Sequence, residues 1–299
     1  MQCRCSVAMT IPASGQKERS IQPMKAVLFV VCIGLIGTGS ILTSTSDAVT
    51  IDLSKALGVW LFDEGKGIKI TDSSDNGNDG ALMFKGSSKW INGKYGNALE
   101  FDGKEAFVEM NTPTNTGRDG HTISMWVKPE GAQKDFTVII SNHNPIPQGF
   151  SLQQRAAELN NFFHGLVVGD AWQGPPFAVR PATQLSAGEW QHIVLVRDGR
   201  KGLLTHWHNG EPTVGYPVLK GRQTRSDDNL RLANTAAVKH ADWAANREFK
   251  GAIDELVILD RPATIDEIFL LGQQSIEISL AVSRKNKLAT TWGRVKSRY

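Results

Sequence analysis

The chain has 299 residues, with 33 basic and 30 acidic side chains and a formal net charge of +3. Ten of the basic and three of the acidic residues lie outside residues 49–272, so this body carries 23 basic and 27 acidic side chains, a net charge of −4. An acidic body argues against a nucleic-acid-binding module, which needs a basic face. Cys3, Cys5 and Cys32 are the only cysteines, which excludes disulfides, thiolate nucleophiles and cysteine zinc sites from the body.

The first 48 residues have the features of a targeting segment. Residues 1–23 are polar and aperiodic, and we interpret them as an upstream extension. Residues 24–48 open with a basic residue, continue with an apolar run and end in Ser46-Asp47-Ala48, the pattern of a secretory signal peptide. The alternative is an uncleaved membrane anchor, although a spanning helix needs about 20 apolar residues. We expect a secreted, extracytoplasmic protein without a membrane span after cleavage.

Residues 49–272 consist of short apolar runs separated by turns rich in Gly, Asn and Asp, which is typical of consecutive antiparallel strands. The predicted strands are Leu57–Phe62, Ile68–Thr71, Ala81–Phe84, Ala98–Phe101, Ala106–Met110, His121–Lys128, Thr137–Ser141, Phe150–Gln153, Phe163–Val168, Trp190–Arg197, Leu203–His208, Leu230–Ala233 and Phe249–Leu259. Alternation within the sixth strand places Ile123, Met125 and Val127 on one face and Trp126 on the other. Asn209-Gly210 predicts a type I′ hairpin turn.

Near the end of the body a single helix is predicted over Thr264–Leu271, with Thr264 as its N-cap and Gly272 as its stop. Many short strands followed by one short helix predict an all-β, antiparallel two-sheet jelly-roll sandwich. The tail, residues 273–299, is basic. Its segment Ile276–Val282 is interpreted as a strand, and the tail as either a flexible appendage or a docking segment.

Several motifs follow one another in order along the body: Val59–Gly65, Asp72–Gly80, Ala98–Gly103, Ile123–Pro129, Trp190–Val194 and Phe249–Ala263. Together they resemble the LamG-like jelly-roll domain of the concanavalin A-like lectin/glucanase group. The resemblance covers about Leu57 to Gly272 and implies the fold. It leaves the activity open, because the group includes sugar-binding modules, protein-binding adhesion modules and some glycosidases.

The resemblance also implies where catalytic carboxylates would stand. Glucanases of the group carry Glu-x-Asp-x-x-Glu on one strand, and Ala252 and Val257 occupy the two glutamate positions here. Glycoside hydrolysis needs a pair of carboxyl groups, and alternation predicts that Asp254 and Glu255 point to opposite faces. We therefore expect no enzymatic activity.

A structural calcium ion is a further implication of the resemblance, because similar domains hold one between an early loop and the closing strand. Its ligands would be Asp72, Asp75, Asn78 and Asp254, whose oxygens suit calcium. The alternative is that the first three residues form Asx-turns and that Asp254 accepts backbone N–H bonds.

Two tryptophans, Trp172 and Trp243, stand in polar segments and are candidate platforms for a sugar ring, with Asn142, His143 and Arg155 as candidate polar partners. We expect a secreted, non-catalytic recognition module that binds carbohydrate as a lectin does. Its ligand would be an extracellular polysaccharide or the glycan of a glycoprotein. The alternatives are a protein–protein adhesion or matrix module and, less favoured, a divergent glycoside hydrolase.

Overall fold

The computed structural model describes residues 50–84, 88–112, 115–143, 149–154, 161–168, 171–173, 183–235 and 246–285. They belong to the second of two compact units, which begins at Ala48. The predicted upstream extension and signal peptide, Arg155, Trp243 and the tail from residue 286 lie outside the described residues.

The described residues form a β-sandwich with helices near its C-terminal end. Its strands are β1 Ala56–Trp60, β2 Lys69–Ile70, β3 Gly80–Met83, β4 Ser88–Asn92, β5 Asn97–Asp102, β6 Phe107–Met110, β7 Gly120–Pro129, β8 Val138–Ser141, β9 Gly149–Gln154, β10 Asn161–Val168, β11 Ala171–Gln173, β12 Thr183–Gln184, β13 Gln191–Asp198, β14 Leu203–His208, β15 Glu211–Pro217, β16 Arg231–Leu232 and β17 Lys250–Leu259. Helix α1 is Ile265–Gln273, and a second helix, α2, covers residues 276–285.

The strands pair into two antiparallel sheets. The first sheet has the order β15-β14-β13-β7-β17-β5-β4, with β1 also paired to β17. The second has the order β11-β10-β9-β8-β16-β6-β3-β2, with β12 also paired to β10. The predicted all-β, two-sheet sandwich is therefore confirmed.

The main core lies between the two sheets. It includes Trp60 and Met125 from the first sheet and Phe150 and Leu232 from the second, all fully buried. Ile123 and Val127 join Met125 in this core, as the alternation of β7 predicts. The predicted hairpin at Asn209-Gly210 is also confirmed, since both residues have the positive φ that a type I′ turn requires.

Helix α1 packs on the outer face of the first sheet, where Ile268 contacts Val194 and Val196. Its predicted N-cap is confirmed: the backbone N–H of Glu267 donates to Thr264 Oγ1, and the Glu267 carboxylate accepts from the backbone N–H of Thr264. The predicted stop at Gly272 is wrong, because the helix continues to Gln273. Gly272 instead allows a close approach, since a Cβ there would lie 2.9 Å from His192 Nδ1.

Helix α2 replaces the strand predicted over Ile276–Val282. Ser275 caps it through a bond from the backbone N–H of Glu277 to Ser275 Oγ, 3.1 Å long. Ile276 and Leu280, one turn apart, are buried against Val59 and Val257 on the outer face of the first sheet. No helix within the described residues is both long and apolar enough to cross a membrane.

A β-bulge interrupts β17 between Asp254 and Val257, where Glu255 takes a positive φ of 47°. The flanking residues Ile253 and Leu256 both face the main core, so the two acidic residues between them share the outer face. The prediction that Asp254 and Glu255 point to opposite faces is wrong, because an extra residue breaks the period of two.

Candidate functional site

One end of the sandwich is rich in buried polar side chains, and we call it the polar end: residues 115–121, 141–143, 197–202 and 218–226. Register brings Gly120 opposite Asp198 in the first sheet. Contacts between loops close the same end, since the Thr116 N–H donates to the Thr224 carbonyl at 3.0 Å and the Ser226 hydroxyl donates to the Asn142 carbonyl.

Arg197 is the charged centre of the polar end. Arg197 is fully buried. It pairs with His121 on β7 and with the core residue Leu204 on β14. Its Nη2 donates to the carbonyls of Leu219 at 3.4 Å and Arg222 at 2.5 Å. Among the described residues, its Nε and Nη1 have no hydrogen-bond partner. Burial lowers the pKa of this guanidinium, yet arginine stays charged in proteins.

His121 is the neutral neighbour of that charge. Burial, together with the charge of Arg197, lowers the pKa of His121 to about 3. Its Nδ1 lies 3.1 Å from Thr116 Oγ1, and its ring lies 5.7 Å from that of Phe150 in the second sheet. The interior of the polar end therefore holds one fixed positive charge and neutral polar groups.

Residues 218–226 form a loop that covers Arg197. The backbone fastens this loop, since the N–H of Val218 donates to Gly202 and the N–H of Gly221 donates to Gly199, both at 2.9 Å. The N–H of Ser226 adds a bond of 2.7 Å to Asn115 Oδ1. The loop is thus held in place by its main chain, which leaves its long side chains available.

A pocket of about 430 Å³ opens beside the loop. It is lined by three exposed arginines, a glycine and a glutamine: Arg118, Arg222, Arg225, Gly221 and Gln223. Within the described part of the chain, no carboxylate forms an ion pair with any of the three guanidinium groups. Sequence reasoning missed these arginines, because they lie in two loops about 100 residues apart.

Two of the predicted ligand-binding residues, Asn142 and His143, lie at the polar end. Asn142 is fully buried, and its Oδ1 accepts from the Phe150 N–H at 2.8 Å. The His143 N–H donates to Ser141 Oγ at 2.9 Å, and burial, with the charge of Arg247, lowers the pKa of His143 to about 4. Asn142 therefore shapes this end from inside, and His143 is neutral at physiological pH.

Trp172 lies in β11, at the edge of the second sheet. Val167 pairs with Trp172 on one side and with Gly149 on the other. Gly149 is next to the polar end, since a Cβ there would lie 2.6 Å from Asn142 Oδ1. Register thus places three of the five predicted ligand-binding positions toward one end of the sheet, and the other two, Arg155 and Trp243, lie outside the described residues.

Two of the predicted calcium ligands, Asp72 and Asn78, bind backbone groups through their side chains. Asp72 Oδ1 accepts from the N–H groups of Val59 and Ser74, and Asp72 Oδ2 accepts from that of Asn78, at 2.9–3.0 Å. The Asn78 side chain donates to the Leu57 carbonyl at 2.7 Å. Asp75 has a positive φ of 72° and lines a second cavity of about 400 Å³ beside α2.

The fourth predicted calcium ligand, Asp254, binds a different segment. Its Oδ2 accepts from the N–H groups of Lys94 and Tyr95 at 2.8 and 3.0 Å. Burial, and to a smaller extent Glu255, raises the pKa of Asp254 to about 8. The described residues contain no group of three or more His, Cys, Asp or Glu side chains arranged to hold a metal ion. The calcium site stays a prediction.

The positions expected for catalytic carboxylates lie on the covered face of the first sheet. Ala252 is fully buried and pairs with Lys128 and Glu100, and the Glu100 carboxylate is 2.6 Å from Lys89 Nζ. Val257 is buried against Ile276 and Leu280 of α2. Burial, the largest influence, raises the pKa of Glu255 to about 7, while its carboxylate accepts from the Ser275 hydroxyl and the Ile276 N–H.

Comparison with known proteins identifies relatives of this fold. A family model described as the concanavalin A-like lectin/glucanases superfamily matches residues 102–269. A comparison with curated protein sequences finds no match.

Among solved structures, domain 4 of AbnA, a GH43 extracellular arabinanase from Geobacillus stearothermophilus in complex with arabinotriose, is similar with a TM-score of 0.54 and 21% identity, over 73% of this chain and 98% of that one. The binding domain of Paraclostridial Mosquitocidal Protein 1 is similar with a TM-score of 0.56 and 15% identity, over 74% and 52%. The binding domain of botulinum neurotoxin serotype G is similar with a TM-score of 0.53 and 14% identity, over 73% and 50%. The chain thus spans about half of each toxin domain, and these likenesses concern the fold.

Proposed function

Because the chain belongs to the concanavalin A-like lectin/glucanase superfamily, we propose that it is a non-catalytic module that recognises carbohydrate at its polar end. The observation that carries the proposal is the register of the second sheet, which places Trp172, Asn142 and His143 toward one end. A pocket of about 430 Å³ opens at the polar end. Sugar sites commonly combine a few fixed polar groups with an aromatic surface.

The neighbouring edge of the second sheet supplies the aromatic part of the proposed site. Trp172 is the proposed platform for a sugar ring. Asn142 and His143, which are held by bonds to Phe150 and Ser141, are the proposed polar residues toward the same end of the sheet. The complex of the similar arabinanase domain with arabinotriose supports a saccharide as the ligand class. We take the ligand to be an extracellular polysaccharide or a glycoprotein glycan.

We also propose that the protein does not hydrolyse glycosidic bonds. Ala252 and Val257 supply no carboxyl group at the two positions where the resembling glucanases carry glutamate. The carboxyl groups that β17 does present, on Asp254 and Glu255, are buried and bound to backbone or hydroxyl donors. A hydrolase needs its carboxyl pair open to the glycosidic bond, so incubation with glucans and arabinans is expected to release no reducing sugar.

Export from the cytoplasm is proposed from the predicted signal peptide at residues 24–48. Recovery of the protein from the medium, with its N-terminus near Val49, is the expected result. A full-length chain retained in the cell would overturn this part of the proposal.

The main test is calorimetric binding to neutral arabino- and gluco-oligosaccharides with the wild type and Trp172→Ala. Stacking of a ring on tryptophan is worth about 1–3 kcal/mol by analogy with base stacking, so the variant is expected to bind at least fivefold more weakly. Trp90→Ala is the control, because Trp90 lies in β4 of the other sheet. Equal affinities for the wild type and Trp172→Ala, or loss only in the control, would reject the site.

A second candidate, a protein-docking module, has one observation in its favour. Ile278 and Val282, one turn apart on α2, are 51% and 37% exposed, and an apolar strip of this kind can meet a partner. Ile278→Ser with Val282→Ser leaves the packed residues Ile276 and Leu280 in place. Loss of a defined protein partner with this double variant, together with no saccharide binding by the wild type, would favour docking over carbohydrate recognition.

A further inference from the structure

We propose that the arginine-lined pocket at the polar end binds sulfate or carboxylate groups, and that the ligand of this protein is therefore an acidic polysaccharide. The saccharide part rests on the proposed function. The anion part rests on the pocket alone, so the two can fail separately.

The first observation is the state of the arginines. Arg118, Arg222 and Arg225 meet at one pocket and are exposed. Two other exposed cations of the polar end are paired, since Arg200 Nη2 lies 2.6 Å from Asp119 and Lys201 Nζ lies 3.2 Å from Asp198. Lys220, on the same loop as Arg222, has no ion-pair partner among the described residues. Within the described residues, the three pocket arginines have no such partner. Like charges that meet without a counter-charge repel one another, and a bound anion would relieve that repulsion.

The second observation is the charge beneath the pocket. Arg197 is fully buried, and the described residues offer no hydrogen-bond partner to its Nε and Nη1. Its Nη2 holds the carbonyl of Arg222, one of the pocket residues, at 2.5 Å. A charge in this low-dielectric position adds positive potential to the loop above it. The buried guanidinium thus fixes the loop and raises its affinity for an anion.

Guanidinium chemistry decides the class of anion. Its planar fork donates two parallel bonds to a carboxylate, sulfate or phosphate. The net charge of −4 on residues 49–272 disfavours a long, densely charged nucleic acid, whose phosphates would also meet the acidic remainder of the surface. A polysaccharide whose rings carry sulfate or carboxylate groups fits a local basic pocket on an acidic body.

The experiment is calorimetric titration of the full chain with a sulfated glucan, a polyuronate, the neutral parent glucan, inorganic sulfate and a single-stranded oligonucleotide. Arg118→Gln, Arg222→Gln and Arg225→Gln each remove one pocket charge. Arg284→Gln is the matched control, because Arg284 is an exposed arginine of α2 that does not line this pocket. Because all four arginines are exposed, each variant should keep the wild-type melting temperature.

The expected result is binding of the sulfated glucan, the polyuronate or both, weakened about three- to tenfold by each pocket variant and unchanged in Arg284→Gln. Each pocket variant should also reduce the slope of log affinity against log salt concentration by about one, because one fewer counter-ion is released on binding. Inorganic sulfate should compete with the polysaccharide. Response to only one of the two acidic glycans would identify the anionic group as sulfate ester or uronate.

Three outcomes would overturn the inference. Equal losses in Arg284→Gln would mean that net charge, and no particular pocket, governs binding. Tightest binding of the oligonucleotide would make the protein a nucleic-acid binder. Binding of neutral oligosaccharides that depends on Trp172 but is insensitive to the three arginines would refute the anion site while leaving the proposed function intact. Binding of acidic glycans through the arginines without any effect of Trp172→Ala would refute the aromatic site and keep the anion site.

Discussion

The protein has two clusters of ionisable side chains, and they differ in what surrounds them. The acidic cluster, Asp254 and Glu255, lies at the bulge of β17 on the face that α2 covers. The basic cluster, Arg197 with the pocket arginines, lies at an open end of the sandwich. The carboxyl groups have raised pKa values and so reduce their own charge by binding protons, whereas a guanidinium keeps its charge. A carboxyl group can lose its charge by binding a proton, so it can be buried without a partner of opposite charge. A guanidinium cannot lose its charge, so a site of several arginines is stabilised by a bound anion.

Removing the cover of the acidic cluster is expected to have the largest effect. Leu280 is 5% exposed and packs on the first sheet, so Leu280→Ala should lower the free energy of unfolding by about 2–4 kcal/mol. Urea denaturation measures this loss. Ile278→Ala, an exposed neighbour on the same helix, is the control and should change stability by less than about 0.5 kcal/mol. Equal, small effects in both variants would mean that α2 does not seal the acidic cluster.

The pH dependence of stability distinguishes the acidic cluster from three buried histidines. Burial raises the pKa of Asp254 to about 8 and that of Glu255 to about 7, above their values of about 4 in the unfolded chain. The folded state then binds more protons, so their contribution falls as pH rises from about 4 to about 8. Burial lowers the pKa of His121 and His192 to about 3 and that of His206 to about 4, so their contribution falls as pH drops below about 6.5.

Stability should therefore be greatest near pH 6 and decline on both sides, by up to about 1.4 kcal/mol per pH unit for each group that titrates. Denaturation at a series of pH values gives the profile. Asp254→Asn should flatten the limb above pH 6.5 and make the limb between about pH 4 and 6.5 steeper, because protonated Asp254 there offsets part of the loss from the histidines. A profile that is flat from pH 6.5 to 8 in the wild type would contradict the assignment of the acidic cluster as protonated.

A third carboxylate, Asp72, extends the comparison to a loop in contact with solvent. Asp72→Asn keeps one acceptor oxygen for Val59 and Ser74 but loses the one that binds the Asn78 N–H. We expect a loss of about 1–2 kcal/mol in the free energy of unfolding, equal in calcium and in chelator. Asp75→Asn, in the same loop, is the companion variant. A wild-type melting temperature that rises with calcium, and that either variant makes insensitive to it, would establish the predicted ion instead.

The pocket arginines should matter least for folding. Their side chains are exposed and have no ion-pair partner among the described residues, so Arg118→Gln, Arg222→Gln and Arg225→Gln should each change the free energy of unfolding by less than about 0.5 kcal/mol. Thermal denaturation checks this. A larger loss would assign the arginines to the stability of the loop and would weaken the contrast with the acidic cluster.

Local sequence patterns predicted much of this fold. The period of two in β7 placed Ile123, Met125 and Val127 in the core, and Thr264 with Glu267 marked the start of α1. The sequence did not predict strand β15, because Pro212, Gly215 and Pro217 are typical of a loop. It predicted a strand in place of helix α2, because Ile276–Val282 alternates apolar and polar residues and only packing on the first sheet favours the helix.

Features that tertiary structure creates were harder to predict. One is the bulge in β17, because no local pattern indicates a bulge at Glu255 and glutamate rarely adopts a positive φ. Another is the candidate site at the polar end. Arg118 and Arg225 lie far apart in the sequence and line one pocket where the two loops join through the bond from the Thr116 N–H to the Thr224 carbonyl. Asn142, predicted as a polar partner of a sugar ring, lies at the polar end, and its side chain is a buried acceptor for the Phe150 N–H.

Hydrogen exchange with and without a saturating acidic polysaccharide tests the location of binding most directly. The account predicts that amide protection appears in residues 115–121, 141–143 and 218–226, which meet at the polar end, and that α1 and α2 exchange as before. Protection confined to α1 and α2, or no change at the polar end at saturation, would contradict it.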